Sequence, residues 1–137
     1  PRPVNIKQEE DYIENVSELE DTIVFIVEHQ GEPVGKIGIG NINREYGKGE
    51  FFFALDPDHH GRGIGTTAVE LLLEYVFNEL NFHRVKGGYI EGNEASKRVQ
   101  EKCGFSEEGR EREAKYVNGE YADIVRTGIL EHEWRSG

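Results

Sequence analysis

Apolar and polar positions change rhythm several times along this chain of 137 residues. "DTIVFIVE" (21–28) is rich in β-branched residues and predicts a strand. "HQGEP" follows as a turn, in which Gly31 permits a positive φ and Pro33 stops further pairing. "VGKIGIGNI" (34–42) alternates and predicts the second strand of a hairpin. After the turn "REYGKG", "EFFFALD" (50–56) predicts a third strand, with all three phenylalanines in the core. Between Thr66 and Leu80 the rhythm lengthens: Val69, Leu72, Leu73, Val76 and Leu80 recur at helical spacing and form one apolar face. "HRVKGGYIE" (83–91) predicts a fourth strand, and "NEASKRVQEKCG" (93–104) a short helix capped by Asn93 and stopped by Gly104. "FSEEGREREAKYV" (105–117) contains a strand, "NG" (118–119) is a hairpin turn, and "EYADIVRTGILEHEW" (120–134) closes as a strand. Residues 1–20 are polar, with a short helix expected around Tyr12 to Leu19. The order β–β–β–loop–α–β–α–β–β predicts a single α+β domain, residues 1–137, with a mixed sheet. The helical link between the strands at 50–56 and 83–91 is long enough for a parallel crossover.

Composition narrows the function classes. The net charge is −11, which gives no basic face on the scale a nucleic-acid binder needs. Acidity of this kind serves solubility in high salt or draws a cationic substrate to a cleft; a generally solvated acidic surface is the plainer reading. No run approaches the ~18 apolar residues of a membrane span, and the N-terminus shows no signal-peptide pattern. Cys103 is the only cysteine, so no internal disulfide forms, and the expected location is a reducing cytoplasm. The chain starts at Pro1 and holds no methionine, so it reads as a trimmed or processed version of a longer product.

Between the Phe-rich strand and the long helix lies "DPDHHGRGIGTT", with Gly61, Gly63 and Gly65 at every second position. The first amides of a helix have no internal partner and its N-terminal end is partly positive, so anions bind there. Glycines let backbone approach a phosphate without a Cβ in the way. A phosphate or pyrophosphate site is one reading; a mobile glycine turn before a helix is the other. A P-loop is excluded because no Lys precedes Thr66; the G-x-G-x-x-G fingerprint fails at Thr66 from Gly61, and from Gly63 it ends on Ala68, a weak allowed variant, with no acidic partner following on a second strand in the expected place.

The stretch His60-Gly61-Arg62-Gly63-Ile64-Gly65, after a strand and opening a helix, resembles motif A (Q/R-x-x-G-x-G/A) of the GNAT superfamily, the GCN5-related N-acetyltransferases. His60 departs from the usual Gln or Arg. "HRVKGGYIEGNEASKRVQEKCGFSEEG" resembles the motif-B region, in which an Asn starts a helix that ends in "GF". "KYVNGEYADIVRTGILEHEW" resembles the end of the RimJ/RimL-type branch, whose members acetylate ribosomal-protein N-termini and other amines. The resemblance covers residues 21–134; the strand and helices that usually precede the hairpin are missing or unrecognisable in residues 1–20.

This resemblance implies a GNAT fold, with a mostly antiparallel sheet splayed between two parallel strands and flanked by helices. It implies an acetyl-CoA-dependent transfer to a primary amine, either a protein N-terminus or a small molecule, by direct attack. A non-catalytic CoA-binding regulatory module on the same fold is the alternative. Amides of Gly61, Arg62, Gly63, Ile64, Gly65 and Thr66 would hold the pyrophosphate, with His60 at the head of the motif. Main-chain groups of Phe53, Ala54 and Leu55 would pair with the pantetheine arm, and Asn93 would bond it. Many relatives place a Tyr acid where Gln100 stands here. Ser96, in Asn93-Glu94-Ala95-Ser96, is then the candidate acid for the leaving thiolate. Glu50 is the better candidate base and Glu113 the poorer, since Lys115 replaces the Glu that can precede the "Y-x-N-G" tyrosine. The implied partner is an amine acceptor, with no nucleic acid and no membrane, and exposed strand edges point to a homodimer.

The remaining candidates have plainer explanations. His59 and His60 have no third ligand at a recognisable spacing, so no metal is expected. Cys103 lacks a His/Asn framework and reads as a small buried residue. Arg98 and Lys102, one helical turn apart, would reach a CoA phosphate, but a solvated helix face is the plainer reading.

Overall fold

A computed structural model describes residues 5–8, 11–18, 21–61 and 63–137. The chain runs β1 (Asn5–Gln8), β2 (Asp11–Glu18), β3 (Ile23–His29), β4 (Glu32–Asn43), β5 (Lys48–Leu55), α1 (Ile64–Glu74), β6 (Arg84–Ile90), α2 (Glu94–Lys102), β7 (Ser106–Val117), β8 (Glu120–Leu130) and α3 (Glu131–Ser136). A 3-10 turn at Pro57–His59 precedes α1, and a π-helical turn at Tyr75–Glu79 extends it. Among the described residues the strands form one eight-stranded mixed sheet in the order β1-β2-β3-β4-β5-β6-β8-β7. Every ladder is antiparallel except that between β5 and β6, which α1 connects.

One face of this sheet holds the core. Along β3 the alternation places Ile23, Phe25 and Val27 inside, and β4 adds Ile37 and Ile39. From above, α1 presents Ala68, Val69, Leu72 and Leu73, and Val76 and Phe77 continue the buried stripe through the π turn. Full burial of one such side chain contributes about 1.5–3 kcal/mol, so this face alone explains why α1 docks here. The π turn carries an i→i+5 bond, Leu80 N–H to Tyr75 C=O at 3.2 Å. There Phe77 packs on Trp134 of α3, ring centroids 5.3 Å apart.

Several expectations change. The helix expected around Tyr12 to Leu19 is an extended strand over Asp11–Glu18, paired with the edge of β3; Leu19 lies outside the described residues. Pairing along an open sheet edge outweighs a weak local preference for helix. β4 begins at Glu32, so Pro33 lies within it, at the register shift opposite Glu28 where a missing N–H is tolerated. Of the three phenylalanines in β5, only Phe51 is fully buried; Phe52 points to the opposite face and is 38% exposed. The last strand ends at Leu130, and residues 131–136 form α3, whose first turn is held by Leu130 N–H donating to Glu133 Oε1 at 2.9 Å. The hairpin turn is as expected: Asn118 and Gly119 both have positive φ, 51° and 82°.

Candidate active site

The two parallel strands part almost as soon as they meet. β5 and β6 pair only at Lys48↔Arg84, Gly49↔Val85 and Glu50↔Lys86. Beyond that, β5 follows β4 as far as Leu55↔Gly35, and β6 follows β8 as far as Ile90↔Ile124. The result is a V-shaped gap with Glu50 and Lys86 at its closed end. Gly47 C=O accepts from His83 and Arg84 N–H at 2.7 and 3.1 Å, whereas Asp56 N–H donates to Val34 C=O at 2.8 Å. Peptide groups alternate in direction along a strand, so Phe53 and Leu55 turn theirs toward the gap. The Leu55 carbonyl accepts from His60 Nε2 at 2.9 Å. A carbonyl cannot donate, so Nε2 carries the proton.

A cleft of about 350 Å³ opens at the wide end, walled by Phe53–Leu55, the glycine loop and α2. Each glycine in the loop has its own reason. Gly61 and Gly63 both have φ near +78°, a region that L side chains adopt only under strain. Gly65 lies in α1 against the Phe53 ring and Val99, where a Cβ would sit 3.2–3.4 Å from their atoms. Gly63 occupies the N-cap and offers no side chain to the first turn of α1. The first intrahelical bond there is Thr67 N–H to Gly63 C=O at 3.0 Å. The amides of Ile64, Gly65 and Thr66 therefore have no partner further back in the helix and stand at the helix's positive end. Gly65 and Thr66 line the cleft, while the Ile64 side chain is buried in the core and offers the cleft no more than its backbone. Arg62 lies outside the described residues.

The opposite wall is α2. Asn93 caps it, its Oδ1 accepting from Ser96 N–H at 3.1 Å. Asn93, Ala95, Ser96, Val99, Arg98 and Lys102 line the cleft. The last two, expected to form a solvated helix face that would also reach a CoA phosphate, are exposed and line the cleft on the wall across from the unpaired amides. Their spacing of four was the available signal, but it fits a solvated face equally well. Beneath this wall Gln100 is 1% exposed. Its Nε2 donates to Gly88 C=O at 2.9 Å and to Ser96 Oγ at 3.2 Å, and its Oε1 accepts from Thr127 Oγ1 at 2.6 Å.

Glu50 lies elsewhere. It projects from the face of the sheet opposite α1, where Asn41 Nδ2 donates to it at 3.3 Å and Arg126 Nη1 stands 3.5 Å away. A second cavity of about 380 Å³ on that face is lined by Asn41, Lys48, Gly49, Glu50, Arg84 and Lys86. The two catalytic candidates thus belong to different cavities, Ser96 to the cleft and Glu50 to the opposite side of the gap. Arg84 makes a bidentate ion pair with Glu108, whereas Lys48 and Lys86 make no ion pair among the described residues.

Other candidates stand apart. Glu113 lies exposed in the β7–β8 hairpin, its N–H donating to Asp123 Oδ1 at 2.9 Å, and lines neither cavity. Cys103 is buried, which pushes its thiol pKa up to about 12, with a smaller contribution from Glu70. That disfavours the thiolate a nucleophile needs. Among the described residues no three His, Cys, Asp or Glu side chains are grouped to hold a metal.

A splayed parallel pair with a glycine loop and a helix start at its wide end is the layout of one superfamily. A family model described as the acetyltransferase (GNAT) domain matches residues 1–106, and the chain belongs to that family. Within it, the chain is 37% identical over 106 residues to the putative ribosomal N-acetyltransferase YdaF of Bacillus subtilis, covering 77% of this chain and 58% of that protein. It is 31% identical over 110 residues to the spermidine N(1)-acetyltransferase of Escherichia coli K12, covering 80% of this chain and 59% of that protein. The solved structure of spermidine N-acetyltransferase from Vibrio cholerae in complex with CoA and spermine matches with a TM-score of 0.79 at 31% identity, over 85% of this chain and 69% of that one. The chain spans less than two thirds of the length of these two curated relatives.

Proposed function

We propose that this domain transfers the acetyl group of acetyl-CoA to a primary amine. The observation that carries this is the gap: β5 and β6 separate after three paired positions, beside a cleft lined by unpaired amides and cations. The residues fit a coenzyme A thioester. Amides of Gly63 to Thr66, with Arg98 and Lys102, would hold its phosphates. The Phe53 N–H and C=O would pair with the pantetheine arm in place of a neighbouring strand, and Asn93 Nδ2 is available to the same arm. His60 already holds the Leu55 carbonyl.

The thioester carbonyl then reaches through the gap to the face that bears Glu50. The amine nitrogen attacks that carbon, the carbon–sulfur bond breaks, and the sulfur leaves with the bonding pair. Glu50 takes the proton that the ammonium must lose, directly or through water, and Ser96 supplies one to the departing sulfur. Backbone N–H groups at the gap stabilise charge on the carbonyl oxygen.

For the acceptor, both a protein N-terminus, as in the RimJ/RimL branch, and a small amine are chemically suited. The cavity beside Glu50 carries Lys48 and Lys86 without an ion pair among the described residues, and Arg84, which Glu108 neutralises. It therefore favours an amine that bears an acidic group over a polycation. The exposed β7 edge suits self-association into a homodimer, and the free thiol chemistry suits a reducing compartment.

The test is thiol release from acetyl-CoA, read with a disulfide reagent, against acidic and basic N-terminal peptides, polyamines and aminoglycosides. Amine-dependent release that Glu50→Gln reduces at least tenfold is expected. Calorimetric binding of coenzyme A with no turnover on any acceptor would instead support the non-catalytic module, which the absence of a Tyr at Gln100 favours.

A further inference from the structure

Gln100 is a polar side chain buried to 1% exposure in a region otherwise packed with Val99, Cys103 and Phe105. Burying an amide is costly unless each of its groups is paired, and here each is. The pairing also fixes which way the amide points. Gly88 C=O can only accept, so the atom 2.9 Å from it is the nitrogen. The oxygen then faces Thr127, whose hydroxyl must donate across 2.6 Å. The second N–H of the same nitrogen points at Ser96 Oγ, 3.2 Å away.

This arrangement decides what Ser96 can do. A hydroxyl has one proton and two lone pairs. With Gln100 donating to it, Ser96 Oγ is an acceptor on its buried side and keeps its own proton for another partner. Among the described residues no group accepts that proton, and Ser96 lines the cleft.

Resting on the acetyl-transfer reading above, we propose that Gln100 is a positioning residue: it sets Ser96 as a proton donor toward the sulfur of the thioester, and Thr127 locks the amide that does so. No bond is made or broken at Gln100. The proton goes from Ser96 Oγ to the leaving thiolate, and solvent restores it afterwards. A buried amide and a first-turn serine thereby do together what a phenol at position 100 would do alone.

The experiment is a set of double-mutant cycles on the full chain, with steady-state kinetics on whichever amine the wild type accepts. Gln100→Leu is expected to lower kcat about a hundredfold, at the lower end of what a positioned acid contributes, with the KM for acetyl-CoA changed less than about twofold. Ser96→Ala is expected to give a similar loss, and the double variant no more than Ser96→Ala alone. Thr127→Val, which is nearly isosteric, is expected to give a smaller loss that also vanishes in the Ser96→Ala background; it serves if Gln100→Leu does not fold by circular dichroism. A second readout needs no turnover. The thiol of bound coenzyme A, titrated by its thiolate absorbance, should have a lower pKa in the wild type than in Gln100→Leu or Ser96→Ala. Losses that add in the double variant, or a bound thiol pKa that the substitutions leave unchanged, overturn the proposal. A wild type that binds coenzyme A but releases no thiol on any amine overturns the acetyl-transfer reading, and this one with it.

Discussion

Gly63 shows how much one position can determine. Its φ of +78° turns the loop into α1, and its missing side chain leaves the first turn of that helix uncapped. Gly63→Ala is expected to cost about 1–2 kcal/mol through the left-handed backbone, read as a lowered urea midpoint. It should also weaken coenzyme A binding in calorimetry, because the same turn aims the amides. In Gly65→Ala the backbone is already helical and the Phe53 ring and Val99 need move only a few tenths of an ångström, so its effect should be smaller. The alternate-glycine pattern and the helix after it were readable from the chain alone, because turn chemistry is local. The Gln100 network was not. Its partners Gly88 and Thr127 stand 12 and 27 residues away, and no local rule brings them together. Position 100 registered only as a missing tyrosine.

At the level of elements, β7 shows what the sequence leaves open. It is exposed along nearly its whole length and bears alternating charges. Besides the β8 ladder, it is tied across the sheet by the Arg84–Glu108 fork, which crosses from β6 past β8, and by Arg110 Nη1 donating to Glu91 Oε2 at 2.9 Å just beyond β6. The hydrogen bond from Arg84 holds the Glu108 carboxyl below its ordinary pKa of 4.5, and the charges of Arg84 and Lys86 add to this. The sign follows from linkage: a depressed carboxyl favours folding above its unfolded pKa, and that gain is lost as the pH falls through its folded value. Acid should therefore destabilise the wild type more steeply below about pH 4.5 than it does Glu108→Gln, in thermal melts taken at successive pH values. Partial exposure keeps the effect small. Strands with β-branched runs and the apolar face of α1 were legible because their periodicity records which side is buried. β2 and α3 were not: sheet pairing makes the first, and docking of Trp134 on Phe77 supports the second. Both contacts are invisible to a local window.

Across the whole molecule, charge and topology place the two halves of the candidate chemistry on opposite sides of the sheet. The acidic total of −11 conceals a local exception, since the cavity beside Glu50 carries Lys48 and Lys86, which make no ion pair among the described residues, while Glu108 neutralises Arg84. Composition left attraction for a cationic substrate as one reading beside a generally solvated acidic surface; the two lysines in this cavity argue against the first. A β-β-β-loop-α-β-α-β-β order was enough to anticipate a mixed sheet with one parallel crossover. It could not show how soon the crossover partners diverge, because splaying depends on where each strand's other neighbour leads it.

That early divergence also makes a seam. The block of strands ending in β5 and the block beginning with β6 are laced together by three rungs, whereas the β4–β5 and β6–β8 ladders each have seven. Breathing should be easiest along this line, with the amides flanking it exchanging hydrogen ahead of those deep in either block. A guest lying lengthwise in the opening would supply the stitches that the backbone omits. Deuterium uptake at Phe53, Leu55 and Gly88 should then slow several-fold on saturation with coenzyme A, while β3 stays unchanged; equal slowing everywhere would mean the guest merely stiffens the protein as a whole.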